Sequence, residues 1–256
     1  MSQHSHIETG LSVLEARLLN PPEGQVRRSA EVRPFITLGH ETAAGASTIG
    51  HLLVPLLDQS FREEGQGWVF LDKNLLTHAL ATHHLPERLV DFLSEDKVSE
   101  IKSVIGELVG LHPSLWELEQ RVSETIMQLS YLGRVVIVGR AAYLVTRPLP
   151  GGFHVRLAAS AEVRIQRVMQ QLQCDVAAAT AHIRQTDRGR RRFVRTRFGE
   201  DVDDPHLYDL VINTDRMTPM AVACLIVEAM RNRIRDLKAF GGTESKAPFS
   251  VPTGGI

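Results

Sequence analysis

The sequence predicts an α/β fold, a parallel sheet covered by helices on both faces. Three observations carry that expectation. Short, unbroken apolar runs recur along the chain with helical patterns between them, which is how strands buried on both faces read. The first run, in PFITLGHETAAGASTIG from Pro34 to Gly50, passes through a turn of small and polar residues straight into an amphipathic helix. Four run ends carry polar, charged or small residues: the loop from Gly39, Asp72-Lys73, Gly139-Arg140 and Asn213-Thr214. Open parallel sheets bind ligands at that edge.

Residues 1–33 are polar with little sustained periodicity and read as a flexible N-terminal segment, with His4 and His6 as exposed tail residues. The first strand is Phe35–Leu38, and its helix starts near Ala46 and runs through Ile49, Leu52, Leu53 and Leu56. Trp68–Leu71 is the second strand. From Asn74 to Leu132 the pattern is helical without a strand, so 74–132 reads as a helical insertion between two strands. Val135–Val138 is the third strand and Phe153–Leu157 the fourth, leading into a helix from Ser160 with apolar Val163, Val168 and Leu172. Leu210–Ile212 is the fifth, followed by a helix through Val222, Ile226, Met230 and Ile234. Residues 239–256 are rich in glycine, serine and proline and read as a disordered C-terminal tail.

Composition narrows the function classes. With 43% hydrophobic residues in 256, the chain can build a substantial core. A formal net charge of −1 gives no global attraction to nucleic acid or acidic membranes, so any anion site must come from local clustering. Cys174 and Cys224 lie far apart and have no metal-ligand spacing. No apolar stretch has the length of a membrane span and the N-terminus lacks a signal-peptide core, so a soluble, cytoplasmic protein is expected. No lysine occurs between Lys102 and Lys238, so phosphate recognition in the second half falls to arginine.

Strand, glycine-containing loop and helix is the layout of a phosphate-binding loop, in which backbone N–H groups and a helix N-terminus face an anion. The candidate phosphate contacts are Thr42, Ala43, Ala44, Gly45, Ala46, Ser47 and Thr48, with the Thr48 hydroxyl placed to reach a magnesium ion. The usual pattern, G-x-x-x-x-G-K-[ST], has lysine where this chain has Ala46. That change and the acidic Glu41 argue for the competing reading, an ordinary strand-to-helix turn.

Asp72 and Lys73 read either as acceptor-binding groups or, for Asp72, as a helix N-cap. Arg140, so soon after four apolar residues of a strand and separated from them by Gly139 alone, reads as a phosphate ligand or an ion-pair partner. The densest charge is IRQTDRGRRRFVRTR, Ile183–Arg197. On a helix Arg184, Arg188, Arg191 and Arg195 share a face, and Asp187 is spaced to pair with Arg191. Such a segment reads as an anion-facing lid or as a solvated basic face balanced by Glu200, Asp201, Asp203 and Asp204. His78, His83 and His84 read as surface or packing residues, and neither a nucleophile elbow nor a triad is present.

ITLGHETAAGAST, FLDKNLL, VVIVGRAAYL, HVRLAASAEVRIQRVM, TDRGRRRF and DDPHLYDLVINT, in that order, resemble the cytidylate-kinase-like proteins, P-loop relatives of a nucleoside monophosphate kinase. The resemblance covers about Arg33 to Leu237. It implies a P-loop three-layer sandwich over 34–238, with a five-stranded parallel sheet, a helical acceptor-binding insertion at 74–132 and an arginine-rich lid at 181–205. Ala43-Ala44-Gly45-Ala46 looks like that group's variant loop, where the lysine position is commonly a small residue, with two glycines changed to alanine.

By the same resemblance Arg184, Arg188 and Arg190 are the catalytic arginines, and Asp72, Lys73 and Arg140 bind the acceptor. Asn213 and Thr214 lie near the nucleotide base. Ala141 stands where cytidylate kinase has an aspartate, a departure that bears on the acceptor. The implied activity is ATP-dependent phosphoryl transfer, with Mg²⁺, to a nucleoside monophosphate or similar small acceptor. The alternatives are a nucleotide-binding pseudokinase or regulator and a kinase for a different small metabolite. Nucleic acid and membrane rank last as partners.

Overall fold

The computed structural model describes residues 33–61, 67–72 and 113–240. The expected N-terminal segment, the C-terminal tail beyond 240, Lys73 and the insertion up to 112 lie outside the described residues.

Five strands form one sheet: β1 (Phe35–His40), β2 (Val69–Leu71), β3 (Val135–Val138), β4 (Gly152–Ala158) and β5 (Leu210–Asn213). Their order is β2-β3-β1-β4-β5, and every neighbouring pair is parallel. Strand β1 is central, with Ile36 beside Val136 of β3 and Phe153 of β4. Strand order reverses on either side of β1, which opens a crevice beyond its carboxyl end.

The helices are α1 (Ala46–Ser60), α2 (Pro113–Leu132), α3 (Ala142–Val145), α4 (Ala161–Leu172), α5 (Val176–Phe198) and α6 (Pro219–Phe240), with a 3₁₀ turn at Pro205–Leu207. Alternation along β1 sends Ile36 and Leu38 into one core with Ile49, Leu53 and Leu57 of α1 and Val222, Ile226 and Met230 of α6. Helices α2 and α3 pack against β3 and β1 and bury Ile126, Leu129, Leu144 and Val145.

Helix α1 crosses β2 closely. A Cβ on Gly50 would lie 2.0 Å from Cε2 of Phe70, so only glycine lets the helix lie at this distance.

Several elements differ from the sequence reading, among them the following. The fifth strand runs on to Asn213, because its backbone continues the β4 ladder to Ala158. The arginine-rich segment is part of one long helix, α5. Asp175 caps it by accepting from the Ala178 amide at 2.8 Å, and Gly199 ends it in the left-handed conformation. Leu172, read as part of an apolar face, is 54% exposed at the end of α4.

Candidate functional site

Between β1 and α1 the chain turns through Glu41–Gly45. Gly45 has φ 92° and Ala43 has φ 62°, both in the left-handed region. Alternation of this kind turns successive N–H groups toward one side. The Ala44 amide closes a turn on the Glu41 carbonyl at 3.1 Å, and the Ile49 amide bonds the Gly45 carbonyl at 3.0 Å. The amides of Ala43, Gly45, Ala46, Ser47 and Thr48 have no acceptor among the described residues, and no side chain caps α1. These are the orphan donors that a helix start presents to an anion.

The side chains around the loop converge on Asp187 of α5. Its Oδ1 accepts from the Thr42 amide at 3.0 Å and the Thr42 hydroxyl at 2.7 Å. Arg190 donates to the same oxygen at 3.0 Å, and Arg164 of α4 donates to Oδ2 at 2.5 Å. Burial pushes the Asp187 carboxyl up, but the Thr42 hydroxyl and amide and the Arg164 guanidinium outweigh it and hold the carboxyl below its usual range. Arg190 also donates to the His40 carbonyl at 2.9 Å. Helix α5 is therefore pinned to the loop at its centre.

Glu41 points away from the orphan amides. Its carboxylate accepts from the Ala159 amide at 3.0 Å and lies 3.7 Å from Nε of Arg164, so its charge is compensated at the β4–α4 junction. Arg167 of α4 donates to the Ala43 carbonyl and to the Thr214 hydroxyl, both at 3.1 Å, and to the Thr214 carbonyl at 3.1 Å.

Beside the loop, α5 and the ends of β1 and β3 enclose a cleft of about 620 Å³. Arg140, Arg156 and Arg190 reach it together with His40, Tyr143 and Phe193, and no Asp or Glu lines it among the described residues. Arg156 is held by Asp203 at 2.5 Å and lies over the Tyr208 ring at 5.6 Å. Burial, reinforced by Arg190, pushes His40 down to about 4, so its imidazole is neutral at pH 7. The Tyr143 hydroxyl is buried with no hydrogen bond of normal geometry.

A sequence model of the cytidylate kinase-like family matches residues 35–216. The chain belongs to the cytidylate kinase-like family. The cytidylate kinase of Pyrococcus horikoshii is 25% identical over 166 residues, 65% of this chain and 83% of that protein. The cytidylate kinase of Thermococcus sibiricus is 28% identical over 136 residues, 53% of this chain and 68% of that one. Among solved structures, an uncharacterized protein from Eubacterium ventriosum superposes with a TM-score of 0.55 at 16% identity, covering 78% of this chain and 99% of that one, a likeness of fold.

Family membership and geometry together sort the expected site residues. Thr42 through Thr48 form one loop and helix start, with Ser47 and Thr48 exposed on the first turn of α1. Arg140 and Arg190 reach the cleft, whereas Asp72, at the end of β2, is not among its lining residues. Arg184 and Arg188 are exposed on α5. The structure corrects one reading. Asp187 pairs with Arg190 rather than Arg191, because its carboxylate faces the loop; Arg191 turns to Asp203 at 2.8 Å. Thr214, expected near a base, is buried with its hydroxyl donating to the Ala44 carbonyl at 3.2 Å, so it supports the loop from within, while Asn213 is exposed.

Arg164 and Arg167 were missed. Their signal was a pair of arginines three apart on the helix after β4, a spacing that puts both on one face. The apolar pattern of that helix drew the reading instead.

Proposed function

We propose that this kinase-family protein transfers the γ-phosphoryl group of ATP, with Mg²⁺, to a small anionic acceptor of the nucleoside monophosphate type. The observation that carries the reading is the set of amides of Ala43 and of Gly45 through Thr48, uncommitted among the described residues, beside a cleft with three arginines and no described carboxylate. Amides and a helix start suit the phosphate chain of ATP. The cleft suits an acceptor that brings its own negative charge.

The chemistry follows from that charge pattern. An acceptor phosphate oxygen attacks the γ-phosphorus while the bond to the β–γ bridging oxygen breaks, and ADP leaves with that electron pair. The attacking oxygen is already anionic at neutral pH, so no general base is required, in keeping with the cleft lining. Catalysis then rests on in-line positioning and on stabilising charge on the transferred group. Arg140 and Arg190 orient the acceptor, and Arg188, exposed on α5, is free to swing toward the γ-phosphate; Arg184, one turn earlier, assists. The Thr48 hydroxyl, with Ser47 beside it, fits an ion carried by the nucleotide, since both sit exposed on the first turn of α1. Mg²⁺ bound there would neutralise charge between the β- and γ-phosphates. On this reading Asp72 and Lys73 meet the acceptor from the β2 side.

Ala46 in the lysine position supports a second reading, a pseudokinase that binds nucleotide without transfer. One pair of measurements separates the two: Mg·ATP binding by calorimetry, and ADP release across nucleoside monophosphates and small phosphorylated metabolites. Binding with turnover on at least one acceptor supports the kinase, and binding with none supports the pseudokinase. No ATP binding sinks both. Turnover that survives Arg188→Glu unchanged removes α5 from the mechanism.

A further inference from the structure

We infer that Arg167, acting with Thr214, is a positioning residue that holds the loop in the shape needed to receive a nucleotide phosphate. The inference deepens the proposed ATP-binding reading and rests on it.

The loop carries an internal conflict. Ala43 sits at φ 62°, a conformation that is costly for a residue with a Cβ and that glycine adopts freely. Something must offset that cost. Asp187 holds Thr42 on one side of Ala43.

Arg167 binds Ala43 itself. One guanidinium nitrogen bridges the Ala43 carbonyl and the Thr214 hydroxyl, and the other binds the Thr214 carbonyl, each at 3.1 Å. The Thr214 hydroxyl, accepting from Arg167, donates onward to the Ala44 carbonyl at 3.2 Å. Thr214 is itself fixed to β4 by its amide, which donates to the Ala158 carbonyl at 2.8 Å. Both loop carbonyls are thereby tied to the frame of the sheet. A planar, five-donor guanidinium serves these three acceptors from two separate nitrogens, whereas an ammonium presents its donors from a single point. Each carbonyl shares a planar peptide with the next residue's amide, so binding the Ala43 and Ala44 carbonyls to protein fixes the amides of Ala44 and Gly45; the Ala44 amide bonds the Glu41 carbonyl, and the Gly45 amide stays turned away from the anchors. Arg167 thus acts through the loop and touches no reacting atom.

The test is a cycle of Arg167→Ala, Arg167→Lys, Ala43→Gly and the Arg167→Ala, Ala43→Gly double variant. Each is titrated with Mg·ATP and followed by amide hydrogen exchange over the loop. Arg167→Ala is expected to weaken ATP binding about tenfold, the ratio corresponding to about 1.4 kcal/mol of lost preorganisation, and to speed exchange in the loop. Arg167→Lys, which keeps the charge and serves as the better-folding variant, is expected to show most of the same loss. Adding Ala43→Gly to Arg167→Ala is expected to restore most of the affinity, because glycine needs no brace at positive φ. A loss of positive charge would not be rescued by a glycine in the loop. Unchanged affinity in Arg167→Ala, or loss without rescue, overturns the inference. A wild-type protein that binds no nucleotide sinks the ATP reading instead, and loop exchange unaltered by Arg167→Ala then overturns the brace on its own.

Discussion

Replacing Asp187 tests the site most directly, because its carboxylate accepts from Thr42 twice, from Arg164 and from Arg190. Asp187→Ala leaves Arg164, whose side chain is 12% exposed, without its nearer counter-ion. Removing one partner of a buried, hydrogen-bonded pair costs about 3–5 kcal/mol. The lower end applies here, since Arg190 is 28% exposed and Arg164 keeps Glu41 at 3.7 Å. About 3 kcal/mol, at about 2–4 °C per kcal/mol for a chain of this size, gives a melting temperature lower by about 6–12 °C. Asp187→Asn keeps an acceptor for Thr42 but loses the charge, and is expected to fall by about half as much.

The sign with pH follows from the depressed carboxyl. Its stabilisation is present above the unfolded carboxylate range and is lost as pH falls through the lower folded value. The gap between wild type and Asp187→Asn is therefore expected to be full at pH 7 and to close in strong acid. Calorimetric melts of the three proteins at several pH values measure this. An Asp187→Ala protein melting within about 2 °C of wild type at pH 7 would refute the claim that α5 is pinned to the loop by charge.

Other consequences can be checked separately. Gly50→Ala forces a methyl to within 2.0 Å of the Phe70 ring and is expected to cost about 1–3 kcal/mol in denaturant unfolding, as overpacking does; an unchanged midpoint contradicts the close crossing. Ala43→Gly on its own relieves the left-handed alanine and is expected to raise stability by up to about 1 kcal/mol, offset in part by added freedom of the unfolded chain. His40 and His154 are both held down to about 4, chiefly by burial. The unfolded chain binds their protons first as pH falls from the usual histidine range, so each is expected to remove about 2 kcal/mol of stability by pH 5; His40→Asn should flatten that slope. Arg140→Ala, on the exposed cleft rim, is expected to raise the acceptor KM while leaving Mg·ATP affinity unchanged; equal loss of both would move Arg140 out of the acceptor role.

What the sequence disclosed was governed by distance along the chain. The inner strands were legible because they are buried on both faces and so must be short apolar runs, as Val135–Val138 is; the edge strand β5 kept an apolar run although Val211 is exposed. The loop was legible because only small residues fit between a strand end and a helix start lying so close. The ion-pair map was not. Thr42 and Asp187 are 145 residues apart, and no local pattern announces that a carboxylate on one helix will bond a loop amide. Local reasoning paired Asp187 with Arg191 at the favourable helical spacing. The fold instead turned Asp187 inward, three residues from Arg190, and gave Arg191 to Asp203. Thr214 was placed at the right strand end, but whether its side chain faced a ligand or the loop depended on packing that only the assembled sheet defines.

The missing lysine changes meaning once charges are assigned to places. In the usual loop one lysine supplies positive charge at the helix start; here that position is Ala46, buried at 5% exposure in the core that also holds Ala44 and Ile49. The positive charge near the loop sits instead on Arg164, Arg167 and Arg190, delivered by α4 and α5. Two carboxylates, Glu41 and Asp187, face these arginines and offset part of that charge. The guanidinium groups of Arg164 and Arg167 are thereby committed to shaping the loop, and the direct contact with the nucleotide phosphates at the loop falls to backbone amides, which carry no net charge. Phosphate affinity at such a site rests on preorganised dipoles more than on ion pairing, so it should fall less steeply with salt than that of a lysine-bearing loop. An Mg·ATP affinity that drops as steeply with ionic strength as an exposed arginine cluster would demand places the binding on Arg184 and Arg188 instead.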